Sequence, residues 1–155
     1  MKNVILIAFI AMIAFACTPS PQPIHFGSDQ CEHCRMLITE AEYASQLLNH
    51  QSKSYKFDSI ECLAAFDLTS EERSNIHSMW VPDFINRDIW IDAELAIYLH
   101  SETLRSPMGL FISSYQNKED ALQMQHEYGG QILTYSEVLS LVEKSWFDKK
   151  PATVE

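Results

Sequence analysis

Basic residues are scarce in this chain of 155 residues: 11 Lys and Arg stand against 21 Asp and Glu, and the formal net charge is −10. Nucleic acids and anionic membrane surfaces attract basic patches, so the composition argues against either of them as a binding partner of the folded part. An acidic surface favours capture of a cation or a basic partner, but it is equally the surface of a protein that is merely soluble.

Recognisable catalytic motifs are missing as well. The sequence shows no paired carboxylates suited to acid–base chemistry, no set of Ser, His and Asp, and no phosphate-binding loop. Asp58 and Glu61 are better explained as the caps of a helix. Further acids are explained as turn or strand-end residues: Asp83, Asp88 and Asp92. We therefore expect a protein that is not an enzyme.

The sequence also lacks an apolar run of membrane-spanning length. The apolar stretch 4–13 follows Lys2 and is about ten residues long, whereas a spanning helix needs roughly 20. A single positive charge before a short apolar run is typical of a signal peptide, and we assign residues 1–16 to it.

The residues around Cys17 predict a membrane anchor. Small residues before this Cys resemble the lipobox of bacterial lipoproteins, in which the Cys is lipidated and becomes the new N-terminus. The alternative is an ordinary signal-peptidase site after Ala16. Three prolines among small polar residues follow, which makes an extended, semi-rigid spacer. We expect residues 17–24 to be a tether, lipid-anchored to a bacterial membrane, with the domain facing the periplasm or the outside.

The rest of the chain predicts an α+β fold. Strands are predicted at 36–39, 44–48, 54–57, 79–81, 90–92, 96–99, 110–115 and 131–135. Helices are predicted after the caps Asp58, Asn117 and Ser136, with a short helix or a loop after Ser70. This order predicts one domain, 25–147, with two small strand–strand–helix (ββα) lobes at about 25–78 and 79–147. The charged tail, 148–155, is predicted to be disordered.

The densest group of soft ligands lies at Cys31, Cys34 and Met36, within six residues. Thiolate and thioether sulfurs are soft donors that favour Cu(I) over hard cations. A thioether does not form disulfides, so Met can hold copper outside the cytosol, where thiols are prone to oxidation. This pattern predicts a Cu(I) site.

Other chemistry also uses a Cys-x-x-Cys pair. Cys31 and Cys34 could form a simple disulfide or a redox pair, although thioredoxin-like proteins place such a pair at the start of a helix after a strand. A zinc site would add Cys62 and either His25 or His33, but the second ligand pair of a zinc ribbon is absent.

Two sulfur-bearing residues elsewhere in the chain are further candidates. Cys62 lies in the first turn of a predicted helix, where the helix N-terminus favours thiolate, or it is a small buried core residue. Met108 lies in the predicted turn 106–109, where it is either a second thioether donor or a side chain packed over the adjacent strand.

Five short segments, spread in order from Cys31 to Val142, together resemble the NosL family. The segments are Cys31-x-x-Cys34-x-Met36-x-Ile38, 55–59, 90–98, Pro107-Met108-Gly109 and 119–130. NosL proteins are lipoprotein copper chaperones associated with maturation of nitrous oxide reductase. The family usually has Gly where this chain has Arg35, and a bulky cation there would alter the turn and disfavour a second positive charge.

The resemblance implies a two-lobed fold, Cu(I) binding by sulfur, and transfer of the metal to a partner. Carried over by position, Cys34 and Met36 are the strongest ligand candidates, followed by Cys31 and Met108. The implied partner is nitrous oxide reductase, another copper-accepting protein or a membrane copper transporter. The rival hypothesis is an exported thiol oxidoreductase that uses Cys31 and Cys34.

Overall fold

The computed structural model describes residues 20–148. The predicted signal peptide, the lipidation candidate Cys17 and all but the first residue of the predicted tail lie outside the described residues. Within this range the strands form two antiparallel sheets, with helices packed beside them, so the predicted α+β class is confirmed. None of the helices in this part of the chain is long and apolar enough to cross a membrane.

The first sheet has four strands in the order β2-β1-β3-β4. Its strands are β1 Ser45–Asn49, β2 Ser54–Phe57, β3 Ile76–Pro82 and β4 Trp90–Asp92. The predicted hairpin of β1 and β2 is confirmed, with Ser45 opposite Phe57 and Leu48 opposite Ser54. β3 begins earlier than predicted because Ile76 already pairs with Asn49 of β1.

The second sheet has three strands in the order β6-β5-β7. Its strands are β5 Ile97–His100, β6 Ile112–Tyr115 and β7 Gln131–Leu133. The boundary expected between the lobes, at 78/79, falls inside β3. In the structure the first sheet includes β4, and the second sheet begins with β5. Residues 110 and 111 do not join β6, because Phe111 has φ of +56°, which breaks an extended strand.

The described residues form three α-helices between and after the strands: α1 Ile60–Thr69, α2 Lys118–Tyr128 and α3 Tyr135–Val142. Asn117 caps α2 and Gly129 ends it, both as predicted. Ser70 begins a short 3-10 helix, Glu71–Asn75. The predicted cap Ser136 is wrong, because Thr134 forms a reciprocal capping box with Glu137 and the helix therefore begins earlier. A single π-helical turn, Glu143–Phe147, extends α3.

The predicted strand 36–39 is also wrong. Only Leu37 pairs with another strand-like residue, through an isolated bridge to Gln30. The reason is local, since the backbone N–H of Cys31 donates to the carbonyl of Met36 at 2.8 Å and closes the segment into a loop.

One hydrophobic core joins the two sheets. It contains Phe57 and Leu63 beside Tyr98 and Ile112, so side chains of both sheets and of α1 bury the same apolar surface. α1 packs against α3 and against the β1–β2 hairpin. Cys31 and Cys62 lie in this same core, which fixes where the thiol-bearing loop meets the helix.

Candidate metal centre

The Cys-x-x-Cys-x-Met segment, residues 31–36, forms a closed loop, which we call the thiol loop. The backbone N–H of Cys31 donates to the carbonyl of Met36, and the N–H of Arg35 donates to the carbonyl of Cys31 at 3.0 Å. On either side, the N–H of Ile38 donates to the carbonyl of Asp29 at 2.9 Å. These bonds direct both thiols towards the core while the backbone turns at the surface.

Arg35 takes the tightest position of this loop, with φ of +66°. That left-handed region disfavours residues with a Cβ, which explains physically why glycine suits this position. The guanidinium lies in solvent and pairs with Glu32 at 3.3 Å. The turn is therefore closed with Arg35 in place, at the cost of a left-handed backbone.

The N-terminus of α1 lies on the other side of the site, opposite the thiol loop. Ser59 is the N-cap, and its hydroxyl accepts the backbone N–H of Cys62 at 3.2 Å. The predicted capping pair of Asp58 and Glu61 is therefore wrong, because Ser59 occupies the cap position. Asp58 reaches the thiol loop instead, and the buried Glu61 accepts a hydrogen bond from the hydroxyl of Ser106.

Four side chains converge where the loop meets the helix: Cys31, Cys34, Asp58 and Cys62. Their ligand atoms all lie within 4.8 Å of one another. Cys31 and Cys62 are completely buried, and Cys34 is partly exposed. The thiol of Cys34 donates to Oδ2 of Asp58 at 3.4 Å, and its backbone N–H donates to Sγ of Cys31 at 3.5 Å. We call this group the thiol cluster.

The thiols of the cluster differ in acidity. The pKa of Cys31 is lowered to about 7, mainly because the thiol of Cys62 donates a hydrogen bond to its sulfur. For the same reason the pKa of Cys62 is raised, since its proton is held by Cys31, and burial adds to the effect. Burial raises the pKa of Cys34 to about 12. The arrangement thus favours the thiolate at Cys31 and the protonated thiol at Cys34 and Cys62.

The cluster has the chemistry of a soft-cation site. Thiolate ligands bind metal only after they lose their protons, so an incoming cation replaces protons here. Oδ1 of Asp58 is buried and has no hydrogen-bond partner among the described residues. A buried carboxylate oxygen without a partner is costly unless a proton or a cation satisfies it. The donor set therefore fits a metal.

The remaining predicted ligands are the thioethers of Met36 and Met108. The main chain of Met36 borders the cluster, and its side chain is 46% exposed. Met108 is half-buried against the same core as Cys34. Its turn is tied to α1, because Ser106 donates to Glu61, the neighbour of Cys62.

The two histidines of the zinc alternative do not belong to the cluster. His25 pairs with Asp29, with 3.5 Å between Nδ1 and Oδ2. His33 stacks on Trp146 with ring centroids 6.0 Å apart, and burial lowers its pKa. Cys31, Cys34 and Cys62 are all free, so no disulfide joins the cysteines of the described range.

Sequence reasoning did not assign Asp58 to the site and left Cys62 open between thiolate and core residue. Both Asp58 and Ser59 are good N-cap types, and only one of them can occupy the cap. The sequence carries no signal that separates them, because each has a backbone N–H three residues later; the bond from the Cys62 N–H to the Ser59 hydroxyl does so in the structure.

Fold and cluster together define a small α+β protein with a thiol-rich candidate metal centre. The NosL family model matches residues 23–142, and the chain belongs to the NosL family. The resemblance found in the five segments is thereby confirmed.

Two relatives of this chain are named for copper. The chain is 27% identical over 128 residues to the copper-binding lipoprotein NosL of Stutzerimonas stutzeri, covering 77% of this chain and 67% of that protein. It is also similar to the crystal structure of the copper chaperone NosL from Shewanella denitrificans. That match has a TM-score of 0.69 and 27% identity, and it covers 77% of this chain and 96% of the other.

Proposed function

We propose that this chain binds Cu(I) in the thiol cluster and carries it to a copper-accepting protein. The observation that carries the proposal is the convergence of three thiols and a carboxylate within 4.8 Å at the edge of the core. The relatives named as a copper-binding lipoprotein and a copper chaperone support copper as the cargo.

The donor atoms support Cu(I) as the oxidation state. Three sulfur atoms in a partly buried site favour Cu(I), a soft cation, over hard cations. The metal would bind the Cys31 thiolate, and then Cys34 or Cys62 with release of its proton. The carboxylate of Asp58, which already accepts the Cys34 thiol, would orient that ligand.

The exposed side of the site suits transfer of the metal. Cys34 is partly exposed and Met36 is 46% exposed, whereas Cys31 and Cys62 are buried. An acceptor's sulfur would enter on the Cys34 and Met36 side and replace these ligands one at a time, and the buried thiols would release the metal last. Met108 is a further candidate thioether. No covalent bond of a substrate changes, so the activity is carriage and not catalysis.

Nitrous oxide reductase is the proposed recipient, with another copper enzyme or a membrane copper transporter as alternatives. One relative is named a lipoprotein, which supports lipid anchoring through Cys17 on the periplasmic or outer side of a bacterial membrane. Transfer is tested by mixing the Cu(I)-loaded protein with copper-free nitrous oxide reductase. If copper stays on this protein in the presence of the reductase but moves to a different apo-protein, the reductase is excluded as the recipient.

The binding claim is tested by anaerobic competition for Cu(I) against a chromophoric chelator. Cys34→Ser and Met36→Leu are each expected to weaken binding, and the double variant is expected to weaken it further while the fold is kept, because only the buried thiols of Cys31 and Cys62 remain. Met124→Leu, at a half-buried methionine of α2, is the matched control. Unchanged affinity in the double variant would contradict the proposed ligands.

Zinc needs its own test, because three thiolates and one carboxylate also fit a tetrahedral zinc site. Competition between Cu(I) and Zn²⁺ for the reduced protein should leave Cu(I) bound when the two metals are equally buffered. Retention of Zn²⁺ under these conditions would assign the cluster to zinc.

The thiol oxidoreductase hypothesis meets a geometric difficulty. An attacking thiolate must be accessible, but Cys31, whose pKa is lowered, is completely buried. The more exposed Cys34 has a raised pKa. A redox titration of the copper-free protein separates the two functions, since a reversible disulfide with reductase activity towards a protein disulfide would favour the oxidoreductase.

A further inference from the structure

Two histidines approach each other on the hairpin side of the four-stranded sheet. His50 directly follows β1, and His77 is the second residue of β3. Their ring centroids are 5.4 Å apart and their planes are inclined by 81°. Both side chains are exposed, so the pair is open to solvent and to ions.

The backbone holds this pair in a fixed frame. The N–H of His50 donates to the carbonyl of Asn75 at 3.0 Å, and His77 is part of a paired strand. The carboxylate of Glu72 accepts hydrogen bonds from the side chains of Asn49 and Asn75, at 3.2 and 2.9 Å. A carboxylate thus contacts Asn49, next to His50, and Asn75, two residues before His77.

One ring also has a partner that orients it. Nδ1 of His77 lies 3.2 Å from the hydroxyl of Ser78, which accepts the indole N–H of Trp80 at 3.1 Å. When the hydroxyl also accepts from Nδ1–H, the lone pair needed by a metal is on Nε2. Such a hydrogen bond to the second ring nitrogen is the usual support of a metal-binding histidine.

The spacing of the rings suits one shared ion. With metal–nitrogen bonds of about 2.0–2.1 Å, an ion in the plane of each ring lies roughly 3 Å from each centroid. Two imidazoles around a near-tetrahedral ion then have centroids about 5 Å apart. The observed 5.4 Å is close to that separation, and the rings meet edge to face at 81°, so binding one ion requires side-chain rotations that turn both Nε2 atoms towards it.

This pair is separate from the thiol cluster. Asp58 follows Phe57 at one end of the hairpin, and His50 follows Asn49 at the other end. At about 3.3 Å per residue, the five-residue β1 separates the two ends by roughly 15 Å. The donors also differ, since imidazole nitrogen suits Zn²⁺, Cu²⁺ and Ni²⁺, whereas sulfur suits Cu(I).

We propose that His50 and His77 form a second metal site, which binds a divalent transition cation of the Zn²⁺ or Cu²⁺ class through two imidazoles and water. The site does not depend on copper carriage by the thiol cluster. It would give the protein a place for a divalent cation at the end of the hairpin opposite the thiol cluster.

The test is a Zn²⁺ titration of the reduced, ¹⁵N-labelled protein, followed through the imidazole nitrogen resonances. Any Zn²⁺ bound in the thiol cluster does not interfere, because the resonances report each histidine separately. We expect the Nε2 signals of His50 and His77 to shift together at one Zn²⁺ concentration. His50→Asn is expected to weaken the response of His77 by about tenfold or more, and His77→Asn to do the same to His50, because one of two protein ligands is lost.

His126→Asn, at an exposed histidine of α2, is the matched control and should leave both signals unchanged. Amide spectra of each variant establish that the fold is kept. If His77 responds to Zn²⁺ equally well in His50→Asn, or if neither ring responds, the pair is only an edge-to-face aromatic contact and the proposal is wrong. Failure of Cu(I) binding at the thiol cluster would leave this result unaffected.

Discussion

The thiol of Cys34 donates to Oδ2 of Asp58 at 3.4 Å, across 24 residues of sequence. This contact links the thiol loop to the residue that precedes the N-cap of α1. The other oxygen of Asp58 is buried without a hydrogen-bond partner in the described part of the chain. One carboxylate therefore restrains a candidate ligand and also contributes negative charge where a cation would enter.

Asp58→Asn tests that role, because it keeps the size of the side chain and removes its charge. We expect Cu(I) affinity to fall by about 10- to 100-fold, the usual cost of losing a residue that orients a metal ligand. Competition with a chromophoric Cu(I) chelator measures the change. Asp88→Asn, at an exposed aspartate, should bind Cu(I) as the unaltered protein does. If the two variants bind Cu(I) with equal affinity, Asp58 is not part of the metal site.

Cys62 is tested by two replacements that separate binding from packing. Cys62→Ala and Cys62→Ser both remove the sulfur, and we expect each to weaken Cu(I) binding by about tenfold or more. Both are also expected to lower the free energy of unfolding, by about 1–3 kcal/mol, because the position is completely buried. Urea unfolding and Cu(I) competition are measured on the same samples. Lower stability with unchanged affinity would make Cys62 a core residue only.

The parts of the fold that depend on local signals could be predicted from the sequence. The hairpin of β1 and β2 follows from apolar runs on either side of a polar turn, and α2 follows from Asn117 and Gly129. The strand at 36–39 could not be excluded in this way, because the bond from Cys31 to the Met36 carbonyl closes a loop that residue patterns do not reveal.

The candidate site was predictable only in part for a similar reason. Cys31 and Cys34 are close in sequence and stood out by their spacing. Asp58 and Cys62 join them through tertiary folding, which places the start of α1 against the loop. A capping role for Asp58 satisfied the same sequence pattern, and only the position of the Ser59 hydroxyl separates the two roles.

Arg35→Gly is predicted to stabilise the protein. A residue with a Cβ at φ of +66° costs roughly 1–2 kcal/mol, and the greater flexibility of glycine in the unfolded chain offsets part of the gain. The exposed pair with Glu32 contributes little. We expect the free energy of unfolding to rise by about 0.5–1 kcal/mol, measured by urea denaturation. Arg35→Ala removes the same charge but keeps the Cβ, so a similar rise in that variant would contradict backbone strain as the cause.

The burial of Glu61 predicts that the stability of the fold depends on pH. Its carboxyl is completely buried, accepts the hydroxyl of Ser106, and has one oxygen without a partner among the described residues. Burial raises its pKa above the ordinary value of 4.5. The folded protein therefore keeps this proton at pH values where the unfolded chain has released it. The stability that results is complete below pH 4.5 and is lost as the pH rises towards the folded pKa.

Glu61→Gln keeps an oxygen that accepts from Ser106 but has no proton to lose. We expect this variant to be more stable than the unaltered protein at neutral pH, with the difference shrinking as the pH falls to 4.5. The difference between the two proteins is the quantity to measure by urea unfolding, because burial also raises the pKa of Asp67 and bends both stability curves alike. Glu102→Gln, at an exposed position, controls for the loss of one negative charge. A stability difference that stays constant from pH 4.5 to neutrality would show that the pKa of Glu61 is not raised in the folded protein.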